Sequence, residues 1–163
     1  MMDLSLTQRL RRLRKSPGIR DLVRETTLTR SSLVYPLFVC TGSEANDLAY
    51  RIAQNYTNSK DVLVMDNAYH GHTSTLIDLS PYKFKGKGGL GKKNYVHIAA
   101  MPDGLRGKWK SSEKDWIKKY IYQVKLTVDE IYKNNKTLSC FFVESILGCG
   151  GQIVLPPNYL KEV

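Results

Sequence analysis

The 163-residue sequence predicts an α/β fold: a mostly parallel sheet with flanking helices. Three observations carry this expectation. From residue 43 onward, stretches of helical period alternate with short apolar runs, in the order helix, strand, helix, strand, helix, strand. The first strand-like run, Asp61 to Asp66, is of the buried type, as in strands covered on both faces. A Gly-Ser turn, Cys40-Thr41-Gly42-Ser43, opens directly into the first of the periodic helices.

The elements follow in chain order. Residues 4–14 read as a short basic helix stopped by Ser16-Pro17-Gly18, and Ile19 to Glu25 as a further turn or two. Leu33 to Val39 is strand-like, but Pro36 limits it to an edge or bent strand. Over 43–57, Ala45, Leu48, Ala49, Ile52, Ala53 and Tyr56 fall at helical spacing and are the expected buried face. Asp61 to Asp66 reads as a buried strand, Thr73 to Leu79 as a helix ending before Pro81, and Tyr95 to Ala99 as a second strand. A long helix is expected over 113–133, with Trp116, Ile117, Tyr120, Ile121, Val124 and Val128 toward the core. Leu138 to Glu144 is the third strand.

Composition narrows the classes. A hydrophobic content of 42% with ten tyrosines and four phenylalanines is that of a packed domain and excludes a disordered chain. No apolar run approaches the roughly 20 residues that span a bilayer, so no membrane partner is expected, and three cysteines without a pairing pattern suit a reducing cytoplasm. The net charge of +10 is denser at the start, where residues 1–39 hold eight Lys/Arg against three Asp/Glu. A transit peptide would be Arg-rich too, but Asp3 and Asp21 weaken that reading. Nucleic-acid binding is the other use of such a segment, yet it lacks interleaved aromatics and no base-reading motif follows, so a solvated arm is expected. Cys40, Cys140 and Cys149 are odd in number and form no CxxC pair, which points to neither a disulfide framework nor a zinc site.

Two segments carry chemistry. Gly42 and Ser43 at a helix start offer backbone N–H groups and a hydroxyl to an anion, best a phosphate, although a serine there is also an ordinary N-cap. Some twenty residues on, Asp66-Asn67-Ala68-Tyr69-His70-Gly71-His72-Thr73 ends a strand with an aromatic pair and a glycine turn. A phosphate cup followed by an aromatic wall at a strand's C-terminal end suits a phosphorylated aromatic ligand in an open α/β sheet. His70 with His72 supplies only two metal ligands and no third partner, so no metal site is expected. Gly86, Gly88 and Gly91 match a dinucleotide-loop spacing, but no clear strand precedes them. The surrounding lysines read as a flexible basic loop that could attract an anionic substrate.

These segments, with Ser80-Pro81-Tyr82-Lys83-Phe84, Phe142-Val143-Glu144-Ser145 and Gly148-Cys149-Gly150-Gly151-Gln152, resemble the class III pyridoxal-phosphate aminotransferases. Within them, the resemblance is to the branch of ethanolamine-phosphate phospho-lyases and alanine–glyoxylate aminotransferases. It implies pyridoxal 5'-phosphate as cofactor, a small amine or amino acid as substrate, and a homodimeric parent enzyme. It also implies that Gly42 and Ser43 hold the phosphate, that Tyr69 stacks on the pyridine ring, and that His70 lies near the cofactor. Glu144 is implied to sit near the phenolic side. Ser145 and Cys149 depart from the family's usual proline and glutamate.

Residues 1–39 resemble a different family, the N-terminal arm of porphobilinogen synthase, on Arg9-Leu10-Arg11-Arg12-Leu13, Ile19-Arg20-Asp21-Leu22-Val23 and Leu33-Val34-Tyr35-Pro36-Leu37. This implies two parts, 1–39 an oligomerisation arm and 40–163 a partial fold-type I large domain, joined at Phe38-Val39. The Schiff-base lysine and the pyridine-facing aspartate of the aminotransferase family have no matching motif here. The expectation is therefore a fragment inactive alone. The alternatives are an interaction or nucleic-acid module built on the basic arm, or an oligomerisation arm related to porphobilinogen synthase.

Overall fold

The computed structural model describes residues 42–163. The arm over residues 1–39, the seam at Phe38-Val39 and Cys40 lie outside the described residues. Helix α1 (Gly42–Thr57) leads into strand β1 (Asp61–Met65). Two short helices follow, α2 (Ser74–Leu79) and α3 (Pro81–Phe84), then β2 (Val96–Ala99). The long helix α4 (Trp116–Lys133) precedes β3 (Leu138–Phe142). A small hairpin of β4 (Ile146–Leu147) and β5 (Ile153–Val154) and the turn α5 (Tyr159–Glu162) complete the order.

The sheet has the order β2-β1-β3 and is parallel throughout, with Val62 opposite Val96 and Cys140, and Val64 opposite Ile98 and Phe142. Strand β1 is central and reads as a continuous apolar run because both its faces are covered. Val62 and Val64 point into one layer, with Tyr50, Leu76, Leu79, Phe84, Val96 and Phe142. Leu63 and Met65 point into the other, with Tyr120, Ile121, Val124, Phe141 and Tyr159. The Val62, Leu63, Val64 and Met65 side chains are essentially inaccessible, and each such burial contributes roughly 1.5–3 kcal/mol. One strand thus anchors both helical layers.

Polar side chains pair at the N-terminal end of the sheet. Asp61 accepts from His97 Nε2 at 2.7 Å and from Lys136 Nζ at 2.9 Å, which ties β1 to β2 and to the turn before β3. No helix among the described residues is long and apolar enough to cross a membrane.

Two expectations need correction. The apolar spacing in α1 placed Leu48, Ile52 and Tyr56 inward, whereas these side chains are 55%, 49% and 59% exposed. The helix instead buries Asn46, Tyr50 and Ala53. Two of those residues carry polar tips that find backbone partners, Asn46 at His70 and Tyr50 at Lys60, so the buried face looks less apolar than the exposed one. The long helix starts at Trp116 rather than at 113, because Asp115 takes a left-handed conformation (φ 58°) and Glu113 turns back to accept the Lys110 N–H. Tyr120, Ile121 and Val124 are buried as the period required, with Trp116, Ile117 and Val128 partly so.

Candidate active site

The C-terminal ends of β1 and β3 open beside the N-terminus of α1. There a cavity of about 410 Å³ is lined by residues that include Gly42, Ser43, Tyr69, His70 and Glu144. This volume lies within the roughly 300–1,000 Å³ of small-molecule sites. All five residues singled out from the sequence therefore meet at one place, although they come from three separate segments.

The loop after β1 makes the wall. The strand ends at Met65, Asn67 turns the chain with a φ of 57°, and Tyr69 to Gly71 then run along the cavity. Four side chains grip this short run by its backbone. Glu144 Oε1 accepts the Tyr69 N–H at 2.8 Å, and Ser80 Oγ accepts the His70 N–H at 2.9 Å. Asn46 Nδ2 donates to the His70 carbonyl at 2.8 Å, and Ser43 Oγ accepts the His72 N–H at 3.0 Å. Sequence reading missed Asn46 and Ser80. Both stood inside quoted motifs, and each is a polar residue at an inward position, which is the signal that could have marked them.

Ser43 is not an N-cap. It lies in the first turn of α1, and its hydroxyl oxygen serves the loop rather than its own helix. Its O–H remains a donor, and first-turn N–H groups have no intrahelical acceptor, so the helix start keeps its pull on an anion. Gly71 closes the cup. At a φ of 141°, a Cβ there would lie 2.9 Å from Ser43 Oγ and 2.6 Å from Leu76 Cδ1.

His70 is 4% exposed, and its ring stands edge-on to Phe142 at 4.9 Å. Burial pushes its pKa down to about 4, so the imidazole is neutral near pH 7. Its Nε2 and Asn46 Oδ1 are buried without a hydrogen-bond partner among the described residues. Glu144 lies two residues beyond the end of β3, not within it. Burial pushes its carboxyl pKa up, against the two backbone N–H groups it accepts, those of Tyr69 and of Gly148 at 3.1 Å. Both carboxylate oxygens are thus engaged by the chain itself. The lysine-rich loop is less free than its sequence suggests, since Lys85 pairs with Asp66 and Lys93 with Asp78. Among the described residues no group of three His, Cys, Asp or Glu could hold a metal ion.

The family model for class-III aminotransferases matches residues 19–163. The chain belongs to the class-III aminotransferase family. The match takes in residues 19–39, part of the segment that resembled porphobilinogen synthase.

Among curated relatives, the chain is 35% identical over 157 residues to ethanolamine-phosphate phospho-lyase homolog 1 of Caenorhabditis elegans, covering 91% of this chain and 34% of the relative. It is 37% identical over 150 residues to the alanine–glyoxylate aminotransferase 2-like protein of Drosophila melanogaster, covering 88% and 30%. The chain spans about a third of the length of these relatives. Among solved structures, a phospholyase from Arthrobacter in complex with phosphoethanolamine matches with a TM-score of 0.62 and 26% identity over 75% of this chain and 28% of that one. A PLP-bound amine transaminase from an uncultivated Pseudomonas species gives 0.64 at 20% identity over 74% and 28%, a likeness of fold. The described chain is a partial α/β unit of that fold.

Proposed function

We propose that the chain forms the phosphate-cup and ring-stacking half of a pyridoxal 5'-phosphate site in a class III enzyme. The observation that carries this reading is the convergence of a helix N-terminus, Ser43, the Gly71 cradle and the Tyr69 ring on one cavity at the strand ends. Gly42 and Ser43 bind the phosphate, supported by the α1 dipole. Tyr69 covers one face of the ring and excludes water from it. His70, neutral and buried, packs under the loop as an apolar support that adds no charge to the cup. Glu144 fixes the height of Tyr69 through the backbone.

When bound, the cofactor supplies an electron sink for bonds at an amine-bearing carbon. The substrate class is a small amine, an amino acid or an amino-alkyl phosphate. The reaction is transamination or phosphate elimination, as the names of the relatives suggest, in a homodimeric parent enzyme. Among the described residues no lysine lines the cavity, which supports the reading that this chain binds the cofactor without a covalent bond and is inactive alone.

The test is equilibrium dialysis of the full chain against pyridoxal phosphate, followed by borohydride reduction and peptide mapping. Saturable, reversible binding that Tyr69→Leu and Ser43→Ala weaken, with no stoichiometric lysine adduct, is expected. One lysine labelled at unit stoichiometry would refute the non-covalent part of the reading. Absence of saturable binding would remove the cofactor assignment.

A further inference from the structure

Helix α3 places Tyr82 and Lys83 next to the cavity wall. The Lys83 ammonium lies 5.4 Å from the centre of the Tyr69 ring and 5.7 Å from that of Tyr82. The two rings meet edge to face, 6.2 Å apart at 67°. Neighbouring lysines behave differently: Lys85 reaches Asp66 and Lys93 reaches Asp78. Among the described residues no carboxylate pairs with Lys83, and its charge is committed to the two aromatic faces. Lys83 does not line the cavity, whereas Tyr69 does. Whatever Lys83 does for a ligand, it does through that ring.

Tyr69 needs such a device. Its N–H is fixed by Glu144, but a fixed backbone does not by itself choose the rotamer of the ring. Its hydroxyl has only a long contact, 3.5 Å, to His72 Nδ1. A stacked ligand binds best when the wall is already at the right angle, because ordering it on binding costs affinity.

We propose that Lys83 is a positioning residue: its ammonium, held over the Tyr69 and Tyr82 rings, sets the plane that Tyr69 presents to a stacked cofactor. This rests on the reading of the cavity as a pyridoxal phosphate site. The strength of a cation–ring contact at a partly exposed site caps its effect on ligand affinity at about two- to five-fold.

The experiment compares pyridoxal phosphate dissociation constants of the full wild-type chain, Lys83→Met, Lys83→Arg and Tyr69→Leu by equilibrium dialysis. Lys83→Met keeps the aliphatic stem and removes the charge, and is expected to weaken binding about two- to five-fold. Lys83→Arg keeps a cation over the rings and is expected to restore binding, which a merely structural role for the stem would not require. In the ligand-free chain, the Lys83 ε-methylene protons are expected upfield by ring current, and Tyr82→Leu should reduce that shift. If wild type binds and Tyr69→Leu weakens it while Lys83→Met leaves it unchanged, the inference falls and the cofactor site stands. Lys83 resonances at free-lysine positions would overturn it as well. If wild type itself does not bind, the cofactor reading fails and this role fails with it.

Discussion

Acidification should weaken this fold through one side chain, His70. In the unfolded chain an imidazole titrates near 6.5, and in the folded one burial pushes it down to about 4. Between these values the unfolded state binds the extra proton, so stability rises with pH across that window. The contribution is fully present above pH 6.5 and is lost as pH falls toward 4. At pH 5 it amounts to a loss of about 2 kcal/mol relative to pH 7, at 1.36 kcal/mol per unit. Urea unfolding followed by tryptophan fluorescence is a suitable assay, because Trp109 and Trp116 both pack edge-on to buried Tyr120. His70→Phe keeps an aromatic ring against Phe142 and removes the titration. The difference between wild-type and His70→Phe stabilities should therefore change by about 2 kcal/mol between pH 7 and pH 5. Contributions from Glu144 and Asp61 occur in both proteins and drop out of the difference. Parallel pH profiles for the two proteins would refute the argument, since His70 would then be hydrated or paired in the native state.

Two further substitutions probe the grip on the loop. Gly71→Ala forces a Cβ against Ser43 and Leu76 at a positive φ; it should destabilise the chain by about 1–3 kcal/mol and raise the pyridoxal phosphate dissociation constant, read by urea unfolding and dialysis. Asn46→Leu removes the donor to the buried His70 carbonyl; a loss of about 1–3 kcal/mol in urea unfolding, with faster amide exchange at Tyr69 to His72, is expected.

Much of the fold was legible because strand period and helix period are set locally. β1, β2 and β3 fell close to their expected bounds, since short apolar runs covered on both faces leave a strong mark on sequence. What failed was the orientation of α1. Sequence counts Leu48 and Ile52 as more apolar than Asn46 and Tyr50, but the face against the sheet is chosen by the whole set of contacts, including the bonds to His70 and Lys60. The hairpin at Ile146–Leu147 and Ile153–Val154 was invisible because two-residue strands carry no period. For the site, motif order placed Gly42, Ser43, Tyr69, His70 and Glu144 around one cavity. It gave no hint that Glu144 would spend both oxygens on backbone N–H groups, because that depends on where the Tyr69 and Gly148 turns meet in space.

The concentration of buried polar groups around one short loop has a physical reading. Among the described residues Asn46, Ser80 and His70 are three of the five buried polar side chains, and these three belong to the loop or to its supports. Desolvating such groups is costly unless each is bonded, so a fold gains little net stability from them. What they provide is a fixed backbone from Tyr69 to His72 before any ligand arrives. On the proposed reading, a site that stacks an aromatic ring while holding its phosphate some distance away needs both ends set together, and Ser43 links them: it lies in the first turn of α1 and accepts the His72 N–H. Loosening the loop should therefore cost phosphate affinity even where no phosphate contact is removed.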